Sequence, residues 1–170
     1  MNLEYFIASL PMLLPGHPAG ITVEAFRTAC AEQLSGQLGQ AVQALLDDGT
    51  SAHPFVQAWE NHETLLRNAV ARRRAARRGV DAHAWQHPVP GIDVRIDQGV
   101  AAAFEQPDPL QRERALVRLR WQAVESLQGY QPLTPEVVLA YAIKLRLLTR
   151  WSALDAEAGT ARLDALAKLP

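Results

Sequence analysis

Residues 134–154 read TPEVVLAYAIKLRLLTRWSAL. From Val137 to Leu154 this segment is apolar on nearly every helical face, interrupted by Lys144, Arg146, Thr149, Arg150 and Ser152. A helix that is hydrophobic on most sides must be surrounded, which predicts a central position in a bundle. Thr134 and Pro135 mark its start, and Glu136 places a negative charge in the first turn, where the helix dipole favours one.

Working backwards, the clearest boundary is Pro107-Asp108-Pro109-Leu110-Gln111. Asp108 as cap, Pro109 at the first helical position and Gln111 three residues on make a variant of the capping box. The spacing predicts a helix to Gly129 with Leu116, Leu119, Ala123, Val124 and Leu127 turned inward. Glu113 and Arg120 fall on that same apolar arc. A buried arginine needs carboxylate or carbonyl partners, since leaving it alone costs several kcal/mol. One of Asp155 and Glu157 is its expected partner, in a structural ion pair that fixes helix register.

Pro54 to Gly79 reads as one long helix. Phe55, Trp59, Leu66 and Val70 share an arc of roughly 100°, with Val56 close by. The stripe then stops, and Arg72, Arg73, Arg74, Arg77 and Arg78 surround the last turns with only alanines between them. This arginine end is expected to project from the body. Residues 80–91 read as a loop. Ile92, Val94 and Ile96 alternate as in a strand, whereas Val100 to Phe104 suit a helix; with no second strand signal in the chain, helix is expected.

Toward the N-terminus, residues 2–14 fit a short helix or an extended arm ended by Pro11. Thr22 caps a helix with Glu24 in its first turn, and Ser35 opens another that runs to Asp48 with Leu38, Val42, Leu45 and Leu46 on one face. A last helix is expected over Asp155 to Leu169. The expected fold is therefore all-α: a single domain over residues 1–170, an irregular bundle of about six to seven helices with one long, arginine-tipped member.

Composition narrows the chemistry. The 170 residues are 48% hydrophobic and 21% charged with a net charge of −1, a globular balance without global attraction to nucleic acid or anionic lipid. Fifteen of the 17 basic residues are arginine. Cys30 is the only cysteine, which excludes an internal disulfide and a cysteine-rich metal site; its helical surroundings predict a small buried hydrophobe. No stretch reaches the roughly 18 apolar residues of a membrane span, and no signal-peptide pattern opens the chain, so a cytoplasmic protein is expected.

Catalytic motifs are missing. His83 and His87 are spaced as a zinc pair, but beside Pro88 in a loop and without a third ligand, so a solvated loop is the expected reading. The chain holds no Gly-x-Ser-x-Gly elbow, no histidine partner for Cys30 and no phosphate loop, and Asp47 and Asp48 read as solvated carboxylates at a helix end. No enzyme activity, metal or cofactor is expected. The arginines carry the strongest local signal: Arg67, Arg72, Arg73, Arg74, Arg77 and Arg78 are the partner-binding candidates. An acidic protein surface is one partner they fit. Nucleic acid is the alternative, against which stand the slightly acidic chain and the absence of aromatics from the run. Plain complementation of a helix C-terminus by cations is the third reading.

Three stretches carry a family resemblance. They are Tyr5-Phe6-Ile7-Ala8-Ser9-Leu10-Pro11; Trp59 through Leu66-Arg67-Asn68 to Arg78-Gly79; and Leu119-Arg120-Trp121 with Tyr141-Ala142-Ile143-Lys144-Leu145, Arg150-Trp151 and Asp155-Ala156-Glu157-Ala158-Gly159. Together they resemble an uncharacterised bacterial family, a domain of unknown function, encoded among the genes for V/A-type rotary ATPase subunits. The resemblance implies an accessory or structural part of that machine. One form would be a shortened counterpart of the helical, non-catalytic funnel-shaped subunit that joins the central stalk to the membrane rotor. It further implies ATPase subunits as protein partners and a peripheral place on the inner face of the membrane through them; without an apolar span, no direct membrane insertion is expected.

Overall fold

At the centre of the computed structural model, which describes residues 3–153, lies the helix Pro135–Ser152. Val138, Leu139, Ala140, Tyr141, Ala142, Ile143, Leu145 and Leu148 are all buried along it. The other helices are arranged around it: α1 (Leu3–Ser9), α2 (Val23–Gln33), α3 (Gly36–Asp47), α4 (Pro54–Arg78), α5 (Val94–Glu105) and α6 (Pro109–Gln128), with the central helix as α7. A short 3₁₀ turn, His83–Trp85, sits in the loop after α4. The described residues therefore form seven α-helices and no strand.

Local chemistry explains the boundaries. The Thr22 hydroxyl accepts the Ala25 amide at 3.1 Å, and the Asp108 carboxylate accepts the amides of Leu110 and Gln111 at 3.1 and 3.3 Å. Both satisfy donors that the first turn of a helix cannot pair internally. His53 does the same for α4 through Nδ1, with Pro54 following at a position that needs no amide hydrogen. Gly79 ends α4 in the left-handed region at φ 66°, where a Cβ would be strained. Ser35 and Thr134 stand at the N-cap positions of α3 and α7 without a side-chain capping bond.

The polar residues that interrupt α7 tie it to its neighbours. The Tyr141 hydroxyl donates to the Pro11 carbonyl at 2.9 Å, and its ring packs 4.9 Å from Phe26. The Lys144 ammonium lies 5.2 Å over the Trp121 ring and donates to Gln128 at 3.1 Å. Arg146 reaches the Leu45 carbonyl and the Asp48 carboxylate, and so meets the unpaired carbonyl end of α3 with a positive charge. Asp47 accepts two bonds from Arg27 and one from Gln43. Asp47 and Asp48, expected to be simply solvated, are therefore exposed but ion-paired.

Buried side chains fall into two clusters. The larger joins α1, α2, α3, the start of α4 (Phe55, Val56), Val124 of α6 and most of α7, and includes Cys30 as the buried hydrophobe expected. The smaller contains Leu66, Ala69 and Val70 of α4, Ile96, Val100, Ala103 and Phe104 of α5, and Leu116 of α6.

The second cluster corrects the expected projection of the arginine end. The C-terminal half of α4 packs against α5 and α6, with Ala69 and Ala75 buried. Alanine makes this possible: between the arginines it leaves a surface low enough for a helix to approach. Two arginines then lie along the contact. Arg72 pairs with Asp97, while Arg77 reaches the Phe104 carbonyl and lies 5.1 Å over the Phe104 ring. The segment expected to be helical between 92 and 104 is α5, and its N-cap Asp93 accepts the Arg95 amide at 2.9 Å. The helix expected over Asp155 to Leu169 lies outside the described residues.

Candidate functional site

The α4 turns between Glu63 and Arg78 present two long faces. One packs on α5. The other borders a cleft of about 450 Å³ whose opposite wall is α6, closed at one side by Arg150 from the end of α7. Leu66, Val70, Ala71, Ala75 and Leu116 supply the apolar lining, and Val80 and Trp85 reach in from the loop after α4. Both loop side chains are open to solvent, Val80 by 47% and Trp85 by 56%.

Charge is concentrated in this cleft. Arg67, Arg74, Arg78, Arg120 and Arg150 line it against two carboxylates, Glu63 and Glu113. Glu63 is the hub. Arg120 binds it in two places, Nε to Oε2 at 2.9 Å and Nη2 to Oε1 at 2.8 Å, and Arg67 Nε adds a third contact at 3.1 Å. The Arg120 and Glu63 side chains retain 13% and 14% of their exposure, so this is a largely desolvated, fork-on-carboxylate pair. Burial alone would raise the Glu63 carboxyl. The hydrogen bond and charge of Arg120, then the charge of Arg67, outweigh burial and hold the group below the ordinary carboxylate range. On the far wall Arg150 stands 3.6 Å from Glu113.

Of the arginines read as partner-binding candidates, Arg67, Arg74 and Arg78 lie along the cleft, Arg72 and Arg77 are turned to α5, and Arg73 is not among the lining residues. Arg73, Arg74 and Arg78 make no hydrogen bond or ion pair with another described residue. The carboxylate that Arg120 needs is present, but it is Glu63, 57 residues earlier in the chain. Asp155 and Glu157, the expected partners, lie outside the described residues.

Glu63 was legible in principle. At 100° per residue it falls within about 20° of Val70 on the apolar arc of α4, so one carboxylate and one arginine occupy apolar arcs of two different helices. Asn68 also escapes sequence reading. It is buried at 4% exposure and clips the loop backbone twice, donating to the His87 carbonyl at 2.8 Å and accepting the His87 amide at 2.9 Å. That pair of bonds fixes the loop that carries Trp85 toward the cleft.

Among the described residues, both carboxylates of the cleft are paired with guanidinium groups. A carboxylate held low by two guanidinium groups is a weak general base. His62, outside the cleft, is pulled below the ordinary imidazole value by burial, against the opposing charges of Glu63 and Asp93. Burial pushes the Cys30 thiol up to about 12, far from a reactive thiolate. No group of three or more His, Cys, Asp or Glu side chains that could hold a metal occurs among the described residues, and no described helix is long and apolar enough to cross a membrane. The cleft sets guanidinium groups beside an apolar floor.

Residues 95–168 match a family described as a protein of unknown function, DUF2764. The match begins at the start of α5 and takes in α6 and α7, and so covers one wall of the cleft, with Glu113, Leu116, Arg120 and Arg150. The α4 wall, and the N-terminal stretches from Tyr5 that contribute to the resemblance read from the sequence, lie outside it. Searches of curated proteins and of solved structures found no match.

Proposed function

We propose that this protein is a non-enzymatic interaction component that docks onto an acidic protein surface through the α4/α6 cleft. The observation that carries the reading is the cleft's composition: an apolar floor, two solvent-exposed apolar side chains at one end and five arginines against two glutamates. Guanidinium groups that no other described residue engages, set beside exposed apolar surface, suit a protein interface. Arg74 and Arg78 are the principal docking residues. Arg67 and Arg120, tied through Glu63, serve as the rigid base of the site.

The assembly we propose is a bacterial V/A-type rotary ATPase, in which the chain would be an accessory or structural subunit held at the inner face of the membrane by its partners. Support for that assembly is the resemblance carried by Tyr5–Pro11, Trp59–Gly79 and the α6–α7 residues. The nucleic-acid alternative is weakened because Arg72 and Arg77 are engaged with α5, so the arginine run is divided between two faces.

Affinity capture from the native host with tagged full-length protein tests the proposal. ATPase subunits should be recovered, and the Arg74→Glu/Arg78→Glu variant should lose them. Recovery of no ATPase subunit by the unaltered protein removes the proposed assembly. Nucleic-acid retention on filters that falls steeply as salt rises would instead assign the arginines to phosphate.

A further inference from the structure

We infer that the α4/α6 cleft receives a single acidic, amphipathic α-helix of the partner protein, an inference that rests on the interaction role proposed above. What α4 presents above the cleft is a row along which one helix can lie. Arg67, Arg74 and Arg78 are spaced by seven and four residues, which places them within about 40° of one another on α4 and in a row about 16 Å long. An incoming helix with acids one turn apart would meet Arg74 and Arg78, and a third acid two turns away would lie beside Arg67, whose Nε is already given to Glu63. Beneath it, Ala71 and Ala75 leave room for close approach. At the end of the row Val80 and Trp85 offer exposed apolar surface for one anchoring side chain.

Charge decides among the possible occupants. A second copy would bring the same arginine-rich face against this one and be repelled. The chain's own residues 154–170 carry Asp155, Glu157 and Asp164 but also Arg162 and Lys168, and so offer little net negative charge. A strongly acidic helix from another protein answers the excess of guanidinium groups best.

The test uses the full chain and a fluorescein-labelled synthetic helix of about 14 residues, with leucines on one face and glutamates spaced by four and seven. Fluorescence anisotropy should show saturable binding. Arg74→Glu/Arg78→Glu should weaken it by about tenfold or more, and Trp85→Ala by a smaller factor. Arg95→Glu reverses a charge that lies off the cleft, and should leave binding unchanged. Circular dichroism on each variant separates lost binding from lost folding, and Arg74→Gln/Arg78→Gln provides a milder pair should the charge reversal disturb the helix.

Equal binding of a scrambled peptide of the same composition would overturn the groove, as would equal weakening by Arg95→Glu. Binding that appears only after residues 154–170 are removed would make that segment the occupant and overturn the inference as well. So would peptide binding that requires dissociation of a dimer, which would make a second copy the occupant. Peptide binding without capture of ATPase subunits would leave the groove standing and remove the rotary-ATPase assembly. Capture without peptide binding would do the reverse.

Discussion

Around α7 the core is aliphatic and aromatic with its ion pairs, Arg27–Asp47 and Arg146–Asp48, at the exposed end of α3, whereas the core shared by the second half of α4, α5 and α6 is smaller and bordered by a largely buried pair, Arg120–Glu63. The first holds together by removing Leu139, Leu145, Phe26 and Val56 completely from water, at about 25 cal/mol per Å² of apolar surface. The second buries fewer large side chains and is held in addition by Arg120–Glu63, Arg72–Asp97, Arg77 on Phe104 and the Asn68 clip. Polar pairs are directional. They fix the position of a helix without filling all the space beside it, and the unfilled space is the cleft. The same α4 serves both cores, by Phe55 and Val56 at one end and by Leu66, Ala69 and Val70 at the other.

Truncation at the larger core should have the greatest effect. Leu139→Ala or Leu145→Ala should cost about 3–4 kcal/mol, since each leaves a cavity in fully enclosed packing. Leu116→Ala, which lines the open cleft, should cost about 2 kcal/mol, because the site can relax or admit water. Urea unfolding gives both values. Equal losses at the two sites would erase the distinction between the cores.

Next comes the ion-pair hub. Glu63→Gln leaves Arg120 largely buried with a neutral partner and should cost about 2 kcal/mol, below the range for fully buried pairs because some solvent reaches the site. Its acid dependence has a definite sign. The folded-state pKa of Glu63 lies below its ordinary value near 4.5, so its stabilising contribution is complete above that value and is lost as pH falls through the folded pKa. The unfolding midpoint of the unaltered protein should therefore drop more steeply below pH 4.5 than that of Glu63→Gln. Parallel pH profiles would mean that the hub does not contribute.

Asn68→Ala should cost about 1–2 kcal/mol by leaving the His87 backbone groups without partners. Hydrogen exchange should accelerate at the His87 amide and in the loop around Trp85, and remain slow in α7. The smallest contrast lies within the arginine run. Arg77→Ala should lose about 0.5–1 kcal/mol through the Phe104 ring and carbonyl. Arg73→Ala, with no described partner, should stay within about 0.5 kcal/mol of the unaltered protein. Equal effects at 73 and 77 would argue that the run acts only by its summed charge.

Much of the small-scale structure was open to sequence reading because its causes are close together along the chain. Asp108 finds the amides of Leu110 and Gln111 within three residues, and Thr22 finds that of Ala25. The burial of α7 follows from its being apolar on nearly all sides, whatever surrounds it. The cleft was less legible. Arg120 signals that it needs a carboxylate, but Asp155, Glu157 and Glu63 all supply the same chemistry, and choosing among them requires knowing which helices touch. The expected projection of the arginine end failed for a related reason: a run of arginines looks like a free surface in sequence, yet Arg72 and Arg77 reach Asp97 and Phe104 of α5 while Ala69 and Ala75 are buried.

By itself, then, the sequence determined the all-helical character of the described residues with α7 at their centre, the capped boundaries at Thr22 and Asp108, and the need for a partner at Arg120. Those depend on periodicity and on bonds spanning a turn or less. Only the tertiary structure decided that Glu63 meets Arg120 across 57 residues and that the arginines divide between α5 and an open cleft. The physical reason is that both outcomes depend on the rotation and approach of packed helices, which the pattern within any one helix does not specify.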